Sequence, residues 1–444
     1  MFLHGTSRIN DAGHLEIGGC DVTELKAEYG TPLYIMDEQL VRHRCREYMD
    51  AFAASGLGFQ VAYASKAFSV MAMCRIADEE GLSLDVVSDG ELYTALQAGF
   101  PADRIHFHGN NKTPDEIEMA LDAHIGCFVV DNFTELELLQ AIAAGRGVTV
   151  NILLRVTPGV EAHAHHAYAA TGQTDSKFGF DIGNGSAFEA IQLASAKENL
   201  TLLGVHSHIG SQIFETDGFE MAVERVASFA RRVNDELNIS FKVVNLGGGF
   251  GIRYVEGDTP LRVSEYVAAI TNAVKKYFAG IGESLPEIWV EPGRSIVGDA
   301  GTTLYTVGTS KNIPGVRKYV AVDGGMTDNP RPALYESKYE ALLANRANEP
   351  AAETVSIAGK CCESGDMLIY DVELPAVESG DLLAVACTGA YNYSMASNYN
   401  RIRRPAVVFV QNGHSDLVVK RESHGDIVAN DLVPARMTKQ PVTK

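Results

Sequence analysis

The chain has 444 residues, 46% of them hydrophobic and 21% charged, and a formal net charge of −20 at pH 7. That balance repels phosphate backbones and anionic lipid, and no basic patch or apolar run of ~20 residues offsets it, so neither nucleic acid nor a membrane is expected as a partner. Met1 to Asn10 lacks the apolar core of a signal peptide, and the seven cysteines are irregularly spaced without a Cys-x-x-Cys; a cytoplasmic, reducing setting is expected, with no disulfide framework and no structural zinc.

The length predicts one large domain and a second. The first 36 residues read as strands and turns, and 38–54 carries a helical pattern. Short apolar runs then alternate with longer helical patterns: 59–65, 82–88, 105–109, 127–131, 150–158, 202–210, 243–249 and 287–293. They are dominated by Val, Ile and Leu rather than by strict alternation, as parallel strands buried on both faces require. The first five begin roughly 23 residues apart, room for one strand, one helix and two short loops. No Leu-x-x-Leu-x-Leu signature recurs, which argues against a solenoid. About eight such units predict a closed (β/α)8 barrel, with a doubly wound open sheet as the alternative. After 287–293 no helix follows, because Gly298, Gly301 and Thr302-Thr303 favour strand or turn; the upstream helix at 38–54 would fill the gap.

Beyond 294 the runs 301–308, 318–322, 354–358, 367–372, 381–387, 406–410 and 416–420 read as β-strands between Gly, Asp and Asn turns. The expected division is an α/β barrel over 37–293 and a mostly β, sandwich- or barrel-like domain formed by 294–444 with 1–36. Residues 434–444 read as a disordered tail.

Catalytic groups of such a barrel gather at the carboxyl ends of its strands. The first run delivers Tyr63-Ala64-Ser65-Lys66. A lysine there ordinarily reaches solvent; in a desolvated pocket it loses its proton easily and can form a Schiff base. The sixth ends in His206-Ser207-His208-Ile209-Gly210-Ser211, and His-x-His on a strand puts both rings on one face. A metal site, a ring stacked on an aromatic cofactor and a pair of hydrogen-bonded core histidines all stay open. The seventh ends in Leu246-Gly247-Gly248-Gly249-Phe250-Gly251, where backbone amides can approach a phosphate closely, although the spacing matches neither a dinucleotide fingerprint nor a P-loop. The eighth ends in Glu291-Pro292-Gly293-Arg294. An amine, a flat ring, a phosphate cradle and a carboxylate at one barrel mouth fit pyridoxal phosphate.

Tyr63-Ala64-Ser65-Lys66-Ala67-Phe68, His208-Ile209-Gly210-Ser211, Gly247-Gly248-Gly249 and Glu291-Pro292-Gly293-Arg294 together resemble the alanine-racemase-like, fold-type-III enzymes. In order and spacing they are similar to the diaminopimelate and ornithine/arginine decarboxylase branch. Asp323-Gly324-Gly325-Met326, Arg331-Pro332-Ala333-Leu334-Tyr335, Cys362-Glu363-Ser364-Gly365-Asp366 and Gly389-Ala390-Tyr391 resemble the signatures of the diaminopimelate decarboxylase family. The resemblance spans about Gly18 to Pro405.

The resemblance implies roles. Lys66 would hold pyridoxal 5'-phosphate covalently, and His208 would stack on its ring. Ser211, Gly248, Gly293 and Tyr391 would bind its phosphate, helped by backbone amides of the Glu291-Pro292-Gly293-Arg294 turn. Glu291 would face the ring nitrogen and keep it protonated. Arg294, Arg331 and Tyr335 would grip a distal substrate carboxylate, with Tyr391 beside them, and Glu363 a distal ammonium. Cys362 would return a proton to the substrate carbon. Cys362 and Glu363 would reach a neighbouring subunit, which implies a homodimer with shared sites. The implied reaction is decarboxylation of meso-2,6-diaminopimelate to L-lysine and CO2. Cys361 alone keeps the plain reading of a structural cysteine.

Phe68, Asp89 and Ser207 depart from the family pattern without removing a proposed catalytic group. His163, His165 and His166, and the 106–112 stretch around His106 and His108, are not expected to bind metal. Two other classes fit parts of the pattern: a zinc hydrolase built on His206 and His208, and a non-enzymatic relative, against which the presence of both Lys66 and Cys362 argues.

Overall fold

Eight stretches with apolar residues on both faces close into a ring of parallel strands. In the computed structural model, which describes residues 1–160 and 176–437, they are β1 (Phe59–Ala64), β2 (Ser83–Val86), β3 (Ile105–Phe107), β4 (Cys127–Val130), β5 (Val150–Thr157), β6 (Leu200–His206), β7 (Val243–Asn245) and β8 (Glu287–Val290). Each pairs in parallel with the next, and β8 returns to β1 through Ile288↔Phe59, Trp289↔Gln60 and Val290↔Val61. The closed barrel therefore replaces the open-sheet alternative.

Helices Met71–Glu79, Asp89–Gln97, Pro114–Asp122, Phe133–Arg146, Ser186–Ser195, Asp217–Leu237 and Val263–Tyr277 follow the first seven strands. After β8 only the four-residue helix Arg294–Val297 forms. The helix Glu38–Ser55 packs against it and against Val263–Tyr277. Its start is fixed by the Asp37 carboxylate, which accepts from the Leu40 N–H, and its end by Gly56 in the left-handed region. Leu40, Val41, Cys45, Tyr48 and Phe52 supply its buried stripe.

Alternation along the strands sorts the barrel interior by height. Cys127, Val129, Leu153, Val243 and Trp289 form a small apolar cluster. Two residues further along their strands stand Asp131, Arg155, Asn245 and Glu291, joined by Asp85, His106 and His206. The ring is thus plugged below and polar above, and the chemistry is confined to its C-terminal mouth.

The second unit is built on the long strand Gly301–Ile313. It pairs with Arg317–Val322, with Leu382–Ala386 and, antiparallel, with Leu33–Asp37 from the start of the chain. Leu33–Asp37 also pairs with Ala406–Gln411, so the N-terminal segment is woven into the C-terminal sheet. Two local expectations fail. The first 36 residues include the helix Val22–Tyr29, because Asp21 caps Thr23 while Val22 and Leu25 are buried. A three-residue strand, Ala341–Leu343, was also not anticipated. His163, His165 and His166, and tail residues 438–444, lie outside the described residues.

Candidate active site

The barrel mouth and the second unit enclose a cavity of about 910 Å³. Lys66, His208, Ser211, Gly248, Glu291, Gly293, Arg294, Arg331, Tyr335 and Tyr391 all line it. Lys66 follows β1 in a short 3-10 turn and projects into the cavity, open to water yet surrounded by protein. Pro292 stands just behind the wall, its carbonyl accepting from the Ala64 N–H at 3.1 Å, which ties the eighth strand end to the first. The cavity lining does not include Cys362 and Glu363 of this chain. Both are exposed, on a loop held by Asp366, whose carboxylate accepts from the Cys361 N–H at 2.8 Å, and by Asn400, whose Oδ1 accepts from the Cys362 N–H at 2.7 Å.

Glu291 is the electrostatic centre. The Asn245 amide donates to its Oε1 at 2.5 Å, and His206 Nε2 lies 3.0 Å from its Oε2. His108 Nε2 is 2.9 Å from Oε1 as an ion contact, off the line of a hydrogen bond, and 3.8 Å from Asp85. Burial raises the Glu291 pKa, but the two imidazoles outweigh it and hold the carboxyl well below its usual range. His206 itself is pushed down to about 4, by burial first, with Glu291 pulling the other way. These three side chains bring donor atoms within 4.8 Å of one another, and of them Glu291 and His206 are hydrogen-bonded to each other.

His206 ends β6 and His208 lies two residues past it, yet both line the cavity. The His208 Nδ1 accepts from the Gly248 N–H at 3.2 Å, and burial keeps this ring neutral, well below the ordinary imidazole value. A Cβ at Gly248 would strike the Glu291 carbonyl oxygen, so only glycine lets the seventh and eighth strand ends approach this closely.

Enclosure was expected to depress Lys66. It does oppose the charge, but the fields of Tyr391, Asp85 and Glu291 exceed it, and the net direction is upward. In the cofactor-free protein Lys66 is therefore an ammonium at neutral pH.

Arg294 donates through Nη1 to the Tyr254 hydroxyl at 2.5 Å and through Nη2 to Ser211 Oγ at 3.0 Å. Arg331 donates to Ser337 Oγ at 3.5 Å and lies over the Tyr335 ring. Among the described residues neither guanidinium has a carboxylate within salt-bridge distance, and the buried Nε of each lacks a hydrogen-bond partner. Two enclosed cations without acids make an anion site. Tyr254, Asn245, Asp85 and Arg155 are site residues that the sequence reading missed; Asn245 alone offered a signal, as a polar residue closing an apolar strand. Phe68, Asp89 and Ser207 stay out of the cavity lining.

An enclosed amine, a carboxylate held ionised and two cations awaiting anions suit a phosphorylated, basic-ring aldehyde, and with the closed barrel they give the class: a pyridoxal-phosphate enzyme of barrel type. A family model described as the pyridoxal binding domain of pyridoxal-dependent decarboxylases matches residues 38–298. The chain is 62% identical to diaminopimelate decarboxylase of Bacillus subtilis (strain 168), over 97% of this chain and 98% of the relative. It is 60% identical to that of Halalkalibacterium halodurans, over 99% and 100%. The solved structure of diaminopimelate decarboxylase from M. jannaschii in co-complex with L-lysine superposes with a TM-score of 0.91 at 38% identity, covering 98% of this chain and 99% of that one. The chain belongs to the pyridoxal-dependent decarboxylases and, within them, to the diaminopimelate decarboxylase family.

Proposed function

We propose that this chain removes one α-carboxyl group of meso-2,6-diaminopimelate as CO2 and leaves L-lysine, using pyridoxal 5'-phosphate. The observation that carries the substrate is the pair Arg294 and Arg331, cations on one side of the cavity without carboxylate partners among the described residues. A distal carboxylate answers them; a distal ammonium, as in ornithine, would be repelled.

When bound, pyridoxal phosphate supplies an electron sink for the bond that breaks. Lys66 Nζ would hold its aldehyde carbon, His208 would lie against the ring, and Ser211, Gly248, Gly293 and Tyr391 would hold the phosphate. Glu291, kept ionised by His108 and His206, would hold a proton on the ring nitrogen. Arg294, Arg331 and Tyr335 would grip the distal carboxylate and so fix which α-carbon is presented. The C–C bond breaks, CO2 leaves, and a proton takes its place on the same carbon. Cys362 Sγ would deliver that proton, with Glu363 receiving the distal ammonium.

Because Cys362 and Glu363 do not line their own chain's cavity, we infer that they serve the cavity of a second copy, in a homodimer with shared sites. The exposed Leu334, next to Tyr335, suits burial against that copy. A cytoplasmic location follows for a step of amino-acid synthesis.

The test is CO2 release from purified protein with cofactor and meso-diaminopimelate, alongside an absorption spectrum before and after substrate. Turnover of diaminopimelate, and loss of the cofactor band in Lys66→Ala after borohydride and gel filtration, are expected. Preferential turnover of ornithine or arginine would overturn the substrate assignment.

A further inference from the structure

Arg294 has two hydroxyl partners, and they come from different loops. Ser211 lies in the loop after β6 and Tyr254 in the loop after β7. The two loops are stapled together. Gln212 donates through Nε2 to the Ile252 carbonyl at 2.6 Å and accepts at Oε1 from the Ile252 N–H at 3.1 Å. Asp258 then holds the Tyr254 backbone, its Oδ2 accepting from the Tyr254 N–H at 2.9 Å. The ring is braced edge-on against Tyr339, centroids 5.5 Å apart at 89°. Everything around the phenol fixes where its oxygen sits.

That oxygen accepts from Arg294 and lines the cavity. Among the described residues Arg294 is its one hydrogen-bond partner, so its own proton remains to be donated. A hydroxyl that accepts from a guanidinium and still has a proton to give suits an oxygen anion seated beside that guanidinium.

We propose that Tyr254 is a specificity-determining residue of this site: it fixes the Arg294 guanidinium and donates its hydroxyl proton to the distal carboxylate of the substrate. The proposal rests on the diaminopimelate reading. It concerns recognition only, and leaves bond breaking to the groups already named.

Tyr254→Phe deletes the hydroxyl and keeps the ring packed on Tyr339. Steady-state kinetics should show the KM for meso-diaminopimelate rising about 10-fold, the worth of one hydrogen bond to a charged group, with kcat changed less than about 3-fold. Two inhibitors separate recognition from general damage. 2-Aminopimelate, which carries the distal carboxylate, should bind about 10-fold more weakly, whereas 1,5-diaminopentane, which has no carboxylate, should bind as before. Cofactor affinity, read from quenching of the single tryptophan, should not move. Equal losses for both inhibitors, or an unchanged KM and unchanged inhibition, would overturn the proposal. Failure of the parent enzyme to turn over diaminopimelate would instead overturn the substrate reading beneath it.

Discussion

Arg294 and Arg331 meet at one ring: their guanidinium carbons stand 4.9 and 5.4 Å from the centroid of Tyr391. The π face offsets part of the charge. It does not replace a carboxylate, and two cations gathered around one phenol in an enclosed space repel each other. Both guanidiniums line the cavity, where an anionic ligand would answer their charge.

Removing one of the two cations should therefore help the empty protein and harm the working one. Arg331→Met should raise the KM for diaminopimelate roughly 10–100-fold, the range for a charge-assisted contact, with a smaller change in kcat. The same variant, freed of cofactor and substrate, should unfold no earlier than the parent, and by relief of repulsion about 0.5–1 kcal/mol later. Thermal unfolding and steady-state kinetics on one preparation check both. A variant that loses stability and leaves KM unchanged would show a structural arginine.

The upward direction at Lys66 sets how the apoprotein takes up its cofactor. Only the unprotonated amine attacks an aldehyde, so uptake at neutral pH is limited by a small fraction of free amine, and its rate should climb as pH rises from about 7 to 9. Asp85→Asn removes one of the carboxylates that hold the ammonium. It should lower the Lys66 pKa and speed uptake about 3–10-fold at pH 7. Stopped-flow absorbance on apoprotein reads this directly; a flat pH profile in the parent would contradict it.

The barrel was legible because parallel strands buried on both faces leave apolar runs at a regular period, and because strand ends are where such a fold places its chemistry. Lys66, Glu291 and the glycine turn were found that way. Tyr254 was not, since it lies nine residues past the end of β7 in a loop without regular structure, and its partner Arg294 is brought to it only by ring closure. The helix Val22–Tyr29 escaped notice because only Val22 and Leu25 are buried, too few to make a periodic stripe. The protonation of Lys66 was misjudged for a related reason. Burial can be guessed from a strand, but Asp85 and Glu291 belong to other strands, and their sum at the lysine exists only in the folded ring.

His106 and His206 predict how the fold responds to acid. Burial, with the His108 charge added, pushes His106 down to about 3, and His206 stands at about 4. Both values lie below the unfolded 6.5, so on acidification the unfolded chain takes up protons first. Stability should begin to fall below about pH 6.5, and by pH 4 the two sites together should cost on the order of 5 kcal/mol. His106 stacks on Trp289, the chain's single tryptophan, at 4.3 Å and 8°. His106→Phe keeps an aromatic ring there without the titration. Denaturant unfolding of apoprotein followed by Trp289 fluorescence should show the variant gaining on the parent as pH drops from 7 to 4.5, by roughly half of the total. Parallel curves for the two proteins would remove His106 from the account.

The placement of Cys362 gives the sharpest arithmetic. If each cavity takes its lysine from one subunit and its cysteine from the other, Lys66→Ala and Cys362→Ala damage different halves of every site. Each variant alone should be nearly inactive in every dimer it forms. Mixed in equal amounts and allowed to exchange, half of the dimers become hybrids. In a hybrid one site combines both defects, and the other combines intact Lys66 with intact Cys362. Half of the dimers with one good site of two is about a quarter of the parent activity. Recovery should follow the rate of subunit exchange, and each hybrid should show one cofactor per two chains. If Cys362 instead served its own chain by a loop movement, every site in the mixture would carry one defect. No mixing ratio would then restore CO2 release.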